Sequence, residues 1–102
     1  AEKHRAPPIQ QNFPDPRKVF PVVENYFRSN NLAFASGKKI GNFAKKILNT
    51  LPMLIVGAQK SGLTQISIQL SVARKSEPEK HFILTLIVKG NGTIEFSERP
   101  PK

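Results

Sequence analysis

The chain has 102 residues, 16 of them Lys or Arg against 7 Asp or Glu, a formal net charge of +9 and no cysteine. That length supports one domain with a single modest core and disfavours the large α/β enzyme folds. Without cysteine there is no disulfide framework and no thiolate zinc site, and no apolar run approaches the roughly 18 to 20 residues needed to cross a bilayer.

Residues 1–14 mix charge, Gln and Pro with almost no apolar periodicity, so a flexible, proline-containing arm is expected there. No signal peptide is visible, and a start at Ala1 rather than Met suggests a piece of something longer. Asp15-Pro16 then has the form of a helix N-cap followed by proline at the first helical position, with Val19, Phe20, Val23, Tyr26 and Phe27 at helical spacing. Pro21 interrupts that pattern, so the helix is expected either to begin at Phe20 or Pro21 or to kink there, and to close at Asn30-Asn31. Leu32 to Ser36 alternates like a short edge strand or an extended connection.

A second helix is clearer. Ile40, Phe43, Ala44, Ile47, Leu48 and Leu51 follow one helical stripe, while Asn42, Lys45, Lys46 and Asn49 take the opposite side. Pro52 is expected to end it, Met53 to Val56 to form a buried strand, and Gly57 to Gly62 a loop. Thr64, Ile66, Ile68, Leu70 and Val72 alternate with Gln65, Ser67, Gln69 and Ser71, the mark of a half-buried strand. His81 to Val88 is apolar on both sides, as a central, doubly covered strand would be. Asn91-Gly92 supplies a hairpin turn into Ile94 and Phe96. The expected fold is α+β: one or two helices on one face of a mainly antiparallel sheet with a C-terminal β-meander, spanning residues 15–97 and followed by a flexible tail, 98–102.

One stretch looks like a motif. Gly57 and Gly62 are spaced like the glycines of a phosphate-binding P-loop, but Leu63 stands where that loop needs its lysine. Gly57, Gln59, Lys60, Ser61, Gly62 and Thr64 also fit the loop Gly-x-Gln-Lys-x-Gly-Thr-Thr, so the stretch resembles the opening of the sulfotransferase family, with Leu63 departing from the expected threonine. The resemblance covers about a tenth of the chain and implies a loop that holds the 5′-phosphate of a sulfuryl donor ahead of a helix. A strict two-residue alternation follows here instead, which points to a plain loop between strands with a basic tip.

Catalytic chemistry finds little support. His4 and His81 lack the cysteines or acidic pair of a zinc site, and Glu77 and Glu79 share a loop with Lys75 and Lys80, which solvates them. No enzyme activity, cofactor or metal is expected. The functional signal is the positive charge, carried by Lys38, Lys39, Lys45 and Lys46 at or on the second helix and by Lys60, Arg74 and Lys75 in loops around the sheet. Gathered on one surface, these cations would contact a nucleic-acid backbone, DNA or RNA, with salt-dependent affinity. The alternative is a protein-interaction domain of a larger assembly, docking a partner by a helix face or by the sheet edge at Ile94 to Phe96.

Overall fold

A computed structural model describes residues 12–99, which form two helices and four strands. Asp15 caps the first helix, α1 (Pro16–Ser29), by accepting the Arg17 backbone N–H at 2.9 Å, and Pro16 fills the first helical position, where no N–H is needed. The helix therefore starts at Pro16, not at Phe20 or Pro21. Pro21 lies on its exposed side, while Val19, Val23 and Phe27 form the buried row one turn apart. Asn30 closes the helix, and β1 (Leu32–Phe34) follows as a three-residue strand.

The second helix, α2 (Ile40–Ser61), runs far beyond Pro52 and corrects three expectations at once. Met53 to Val56 is helical, not a buried strand, and Met53 is 74% exposed. Gly57 to Ser61 is helical too, so neither a loop nor a phosphate cradle forms there. The physical reason is packing: the buried row Phe43, Ile47, Leu51 and Ala58 continues on the core side straight past the proline, which itself faces solvent. Burial of that row outweighs the local cost of an interior proline, about 3 kcal/mol. The helix stops at Gly62, whose φ of 72° is left-handed, and the Leu63 N–H closes it onto the Ala58 carbonyl at 2.9 Å.

Strands β2 (Gln65–Arg74), β3 (His81–Lys89) and β4 (Ile94–Arg99) join β1 in one antiparallel sheet of order β1-β2-β3-β4. Ile66, Ile68, Leu70 and Val72 stand opposite Val88, Leu86, Leu84 and Phe82, so one face of the sheet is apolar. Leu86 and Val88 in turn stand opposite Phe96 and Ile94. Both helices lie on that face and share its core. The expected α+β architecture is what forms.

The central position of β3 holds, but its double cover does not, because neither helix packs on the other face. There Ile83 and Ile87 are half-buried between Ser71, Ser67 and the β4 residues Arg99 and Glu95. Thr85, on the same face, is only 6% exposed, and its hydroxyl has no hydrogen-bond partner among the described residues.

The β3–β4 turn is held by Asn91, whose Oδ1 accepts the Thr93 N–H at 3.0 Å and the Thr93 hydroxyl at 2.6 Å. The Asn12 N–H donates to the Gly90 carbonyl at 2.5 Å, and Phe13 packs against the core. Residues 1–11 of the expected arm, and 100–102 of the expected tail, lie outside the described residues. Glu98 and Arg99 belong to β4, so the sheet extends past residue 97.

The course of α2 past Pro52 yields a prediction. Leu51 is fully buried, so Leu51→Ala is expected to cost about 2–4 kcal/mol in urea denaturation, whereas Met53→Ala stays within about 0.5 kcal/mol. A strand buried at residues 53–56 would make the second substitution costly as well.

Candidate functional site

The chain leaves the sheet early on the β1 side. After Phe34, Gly37 takes a φ of 82°, a left-handed turn for which glycine is suited, and its N–H bonds the Phe34 carbonyl at 3.0 Å. The backbone then climbs through Lys38 and Lys39 into α2, which returns along the sheet so that its last turn meets the start of β2. Between α2 and the departing edge of β2 this leaves a cleft of about 690 Å³. Phe34, Phe43, Ile47, Leu51, Leu54, Ile68 and Leu70 form its apolar lining, and Asn42, Thr50, Gln69 and Ser71 add polar groups. Lys38, Lys39 and Lys46 are the charged residues of the lining, with no Asp or Glu beside them.

A second cleft, about 430 Å³, adjoins the first across Phe34, Lys38 and Lys39 and adds Arg28, Lys75 and Glu24. Arg28 and Glu24 form an ion pair of 3.8 Å across one helical turn.

Of the seven basic residues singled out in the sequence, four converge here: Lys38, Lys39 and Lys46 at the first cleft, and Lys75 at the second. Lys45 projects about 100° around α2 from Lys46 and lines neither cleft. Lys60 sits in the last turn of α2, not in a loop, about 30 Å along the helix from Lys39.

Arg74 is committed elsewhere. Its guanidinium donates to Glu98 Oε1 at 2.8 Å and lies 5.0 Å above the centre of the Phe82 ring. Tyr26 donates to the other oxygen, Glu98 Oε2, at 2.7 Å and stacks on Phe96 at 4.1 Å. This cluster ties α1 to β4 and takes Arg74 out of the basic surface.

The acids explain why the charge is so uneven. Asp15, Glu24, Glu77, Glu95 and Glu98 each hold a cation in an ion pair, with Arg17, Arg28, Lys80, Lys89 and Arg74 respectively. From Asn25 to Ser76 there is no acidic residue at all, and that stretch contains β1, α2 and β2. Lys38, Lys39, Lys45, Lys46, Lys60 and Lys75 accordingly make no ion pair among the described residues. This acid-free run is a signal in the sequence that marks the cleft more sharply than the lysine positions do. Phe34, Ile68, Gln69 and Leu70 also belong to the site and carry no charge to mark them.

Among the described residues, no group of three His, Asp or Glu side chains is placed to hold a metal ion. No helix of the described residues is long and apolar enough to cross a membrane. No family model, curated protein or solved structure matches this chain.

The Tyr26–Glu98–Arg74 cluster generates a pH prediction. Hydrogen bonds from Tyr26 and Arg74 hold the Glu98 carboxyl below its ordinary value, against the opposing effect of burial. Burial, with the Glu98 carboxylate beside it, pushes the Tyr26 phenol up to about 12. Because folded Glu98 binds its proton less tightly than unfolded Glu98, its contribution is full above the ordinary carboxylate range and is lost as pH falls through the lower folded value. Glu98→Gln is therefore expected to flatten the acid limb of stability in urea denaturation below about pH 5. It should also bring the ionisation of Tyr26, the single tyrosine, part of the way back toward 10.0 in an ultraviolet titration.

Proposed function

We propose that the protein is a noncatalytic basic binding module that receives an anionic partner in the cleft between α2 and β2. The observation that carries this reading is the convergence of Lys38, Lys39 and Lys46 on one apolar cleft without an acid in its lining. Three uncompensated ammonium groups repel one another, and an anion that spans them relieves that repulsion while its apolar portion covers the partly exposed Phe34, Leu54 and Ile68. Lys75, at the neighbouring cleft, extends the same field.

A nucleic-acid backbone is the second reading, favoured by Lys45 and Lys60. These stand outside the cleft without ion pairs and continue the positive charge along the roughly 33 Å of α2. A phosphate chain lying along the helix would use them, whereas a partner seated in the cleft would not.

Titration of the protein with poly-glutamate and with single- and double-stranded DNA and RNA, at two salt concentrations, separates these readings. With the cleft as the site, Lys39→Glu combined with Lys46→Glu weakens binding by about tenfold or more, and Lys45→Glu combined with Lys60→Glu by less than about threefold. Equal losses in the two variants would place the contact along the helix and favour nucleic acid. Failure of every probe to bind at low salt would overturn the basic-module reading.

A further inference from the structure

We infer that the partner of the cleft is an extended peptide segment, acidic toward one end and apolar toward the other, that adds a strand to the free edge of β2. The inference rests on the cleft reading above and names its occupant.

The first observation is an unfilled strand position. β1 pairs only with Val72, Ala73 and Arg74, and the last bond across that edge runs from the Ala35 N–H to the Ser71 carbonyl at 2.9 Å. Beyond it, from Gln65 to Leu70, β2 has no strand on that side among the described residues, while its other side is paired with β3 throughout. Backbone groups of an antiparallel strand point to its two sides alternately. Since Ser71 faces the β1 side, Gln69, Ser67 and Gln65 turn their N–H and C=O groups toward the vacant position.

The second observation is that nothing on the strand guards this edge. Exposed edges are commonly blunted by lysine, proline or a bulge. Gln65, Ser67 and Gln69 are neutral, the register of β2 against β3 is unbroken, and the cleft lies directly alongside at Ile68, Gln69, Leu70 and Ser71. An occupant there is held by main-chain hydrogen bonds, with alternate side chains directed into the cleft.

The third observation gives the occupant its polarity. Because α2 returns antiparallel to β2, Lys38 and Lys39 lie toward the Ser71 end of the vacant position, and Leu54 lies further along the helix toward the start of β2. Acidic side chains are therefore matched near Ser71, and apolar ones near Ser67. A nucleic acid supplies no peptide N–H and C=O ladder for this edge, so it is the weaker occupant on geometry.

The test uses two fluorescein-labelled peptides, Glu-Glu-Asp-Ile-Val-Leu-Val and its reversed sequence, with forms of each N-methylated at every second amide, and a single-stranded oligonucleotide as the other polymer class. Support is binding of one peptide order that N-methylation in one of the two alternations weakens by about tenfold or more. Protection of the Ser67 and Gln69 amides from hydrogen exchange in the complex, and a similar loss in Ser67→Pro, belong to the same outcome. Ser67→Pro deletes a donor on the open side while leaving the β2–β3 ladder intact. Equal binding of the N-methylated peptides, without amide protection but still lost in Lys39→Glu with Lys46→Glu, overturns strand addition and leaves the basic cleft standing. Binding of the oligonucleotide alone replaces the peptide by a nucleic acid. Peptide binding indifferent to the lysine changes, or no binding by any probe, overturns the cleft reading as well.

Discussion

The register between β2 and β3 is the constraint on which the rest of the molecule depends. With Ile66, Ile68, Leu70 and Val72 set opposite Val88, Leu86, Leu84 and Phe82, eight apolar residues of two long strands fall on one face, while Ile83 and Ile87 remain on the other. A slip by one residue would turn that entire set to solvent and bring Gln65, Ser67, Gln69 and Ser71 into the core. Val19, Val23 and Phe27 of α1, and Phe43, Ile47, Leu51 and Ala58 of α2, are buried because this face exists for them to cover. The opposite face, with its serines and glutamines, is left without a helical layer.

The cleft follows from a mismatch of lengths. β2 is ten residues long and β1 is three, so the sheet loses its outermost row just where the chain turns at Gly37 to begin α2. A helix of 22 residues then passes above an edge that has no neighbour. Charge is segregated along with geometry. Asp15, Glu24, Glu77, Glu95 and Glu98 are drawn into pairs at α1, the β2–β3 turn and β4, and Lys38, Lys39 and Lys46 line the cleft without counterparts. Apolar lining, unshared backbone groups and uncompensated ammonium groups thus meet in one place.

Much of the fold was legible in the chain itself. The alternation from Thr64 to Val72, the Asp15-Pro16 cap and the Asn91-Gly92 turn each rest on local chemistry, and each is found where its residues indicate. The course of α2 was not legible, because Pro52 carries a strong local stop signal while the opposing term, continued burial of Leu51 and Ala58 on the sheet, is set by tertiary packing. The same misreading turned Gly57 to Gly62 into a loop, although the second glycine is a helix cap. Of the site, the lysines of α2 were visible and Arg74 misled. Its partner Glu98 is 24 residues away in sequence, and the Tyr26 hydroxyl that shares this carboxylate is 72 residues from it. The vacant edge could not be read at all, since it depends on how soon β1 departs.

The bond between Asn12 and Gly90 has a mechanical consequence. It fixes the chain ahead of α1 at the turn of the β3–β4 hairpin, whereas Arg99 lies beside Ile83 near the hairpin's far end. A pull passed from Asn12 to Gly90 and resisted at Arg99 runs along the strands, so the tension is carried by the extended covalent backbone of β4, and the rungs between β3 and β4, which lie crosswise to it, are not unzipped. The hairpin is accordingly stiffest along the line joining those two points and softest across it.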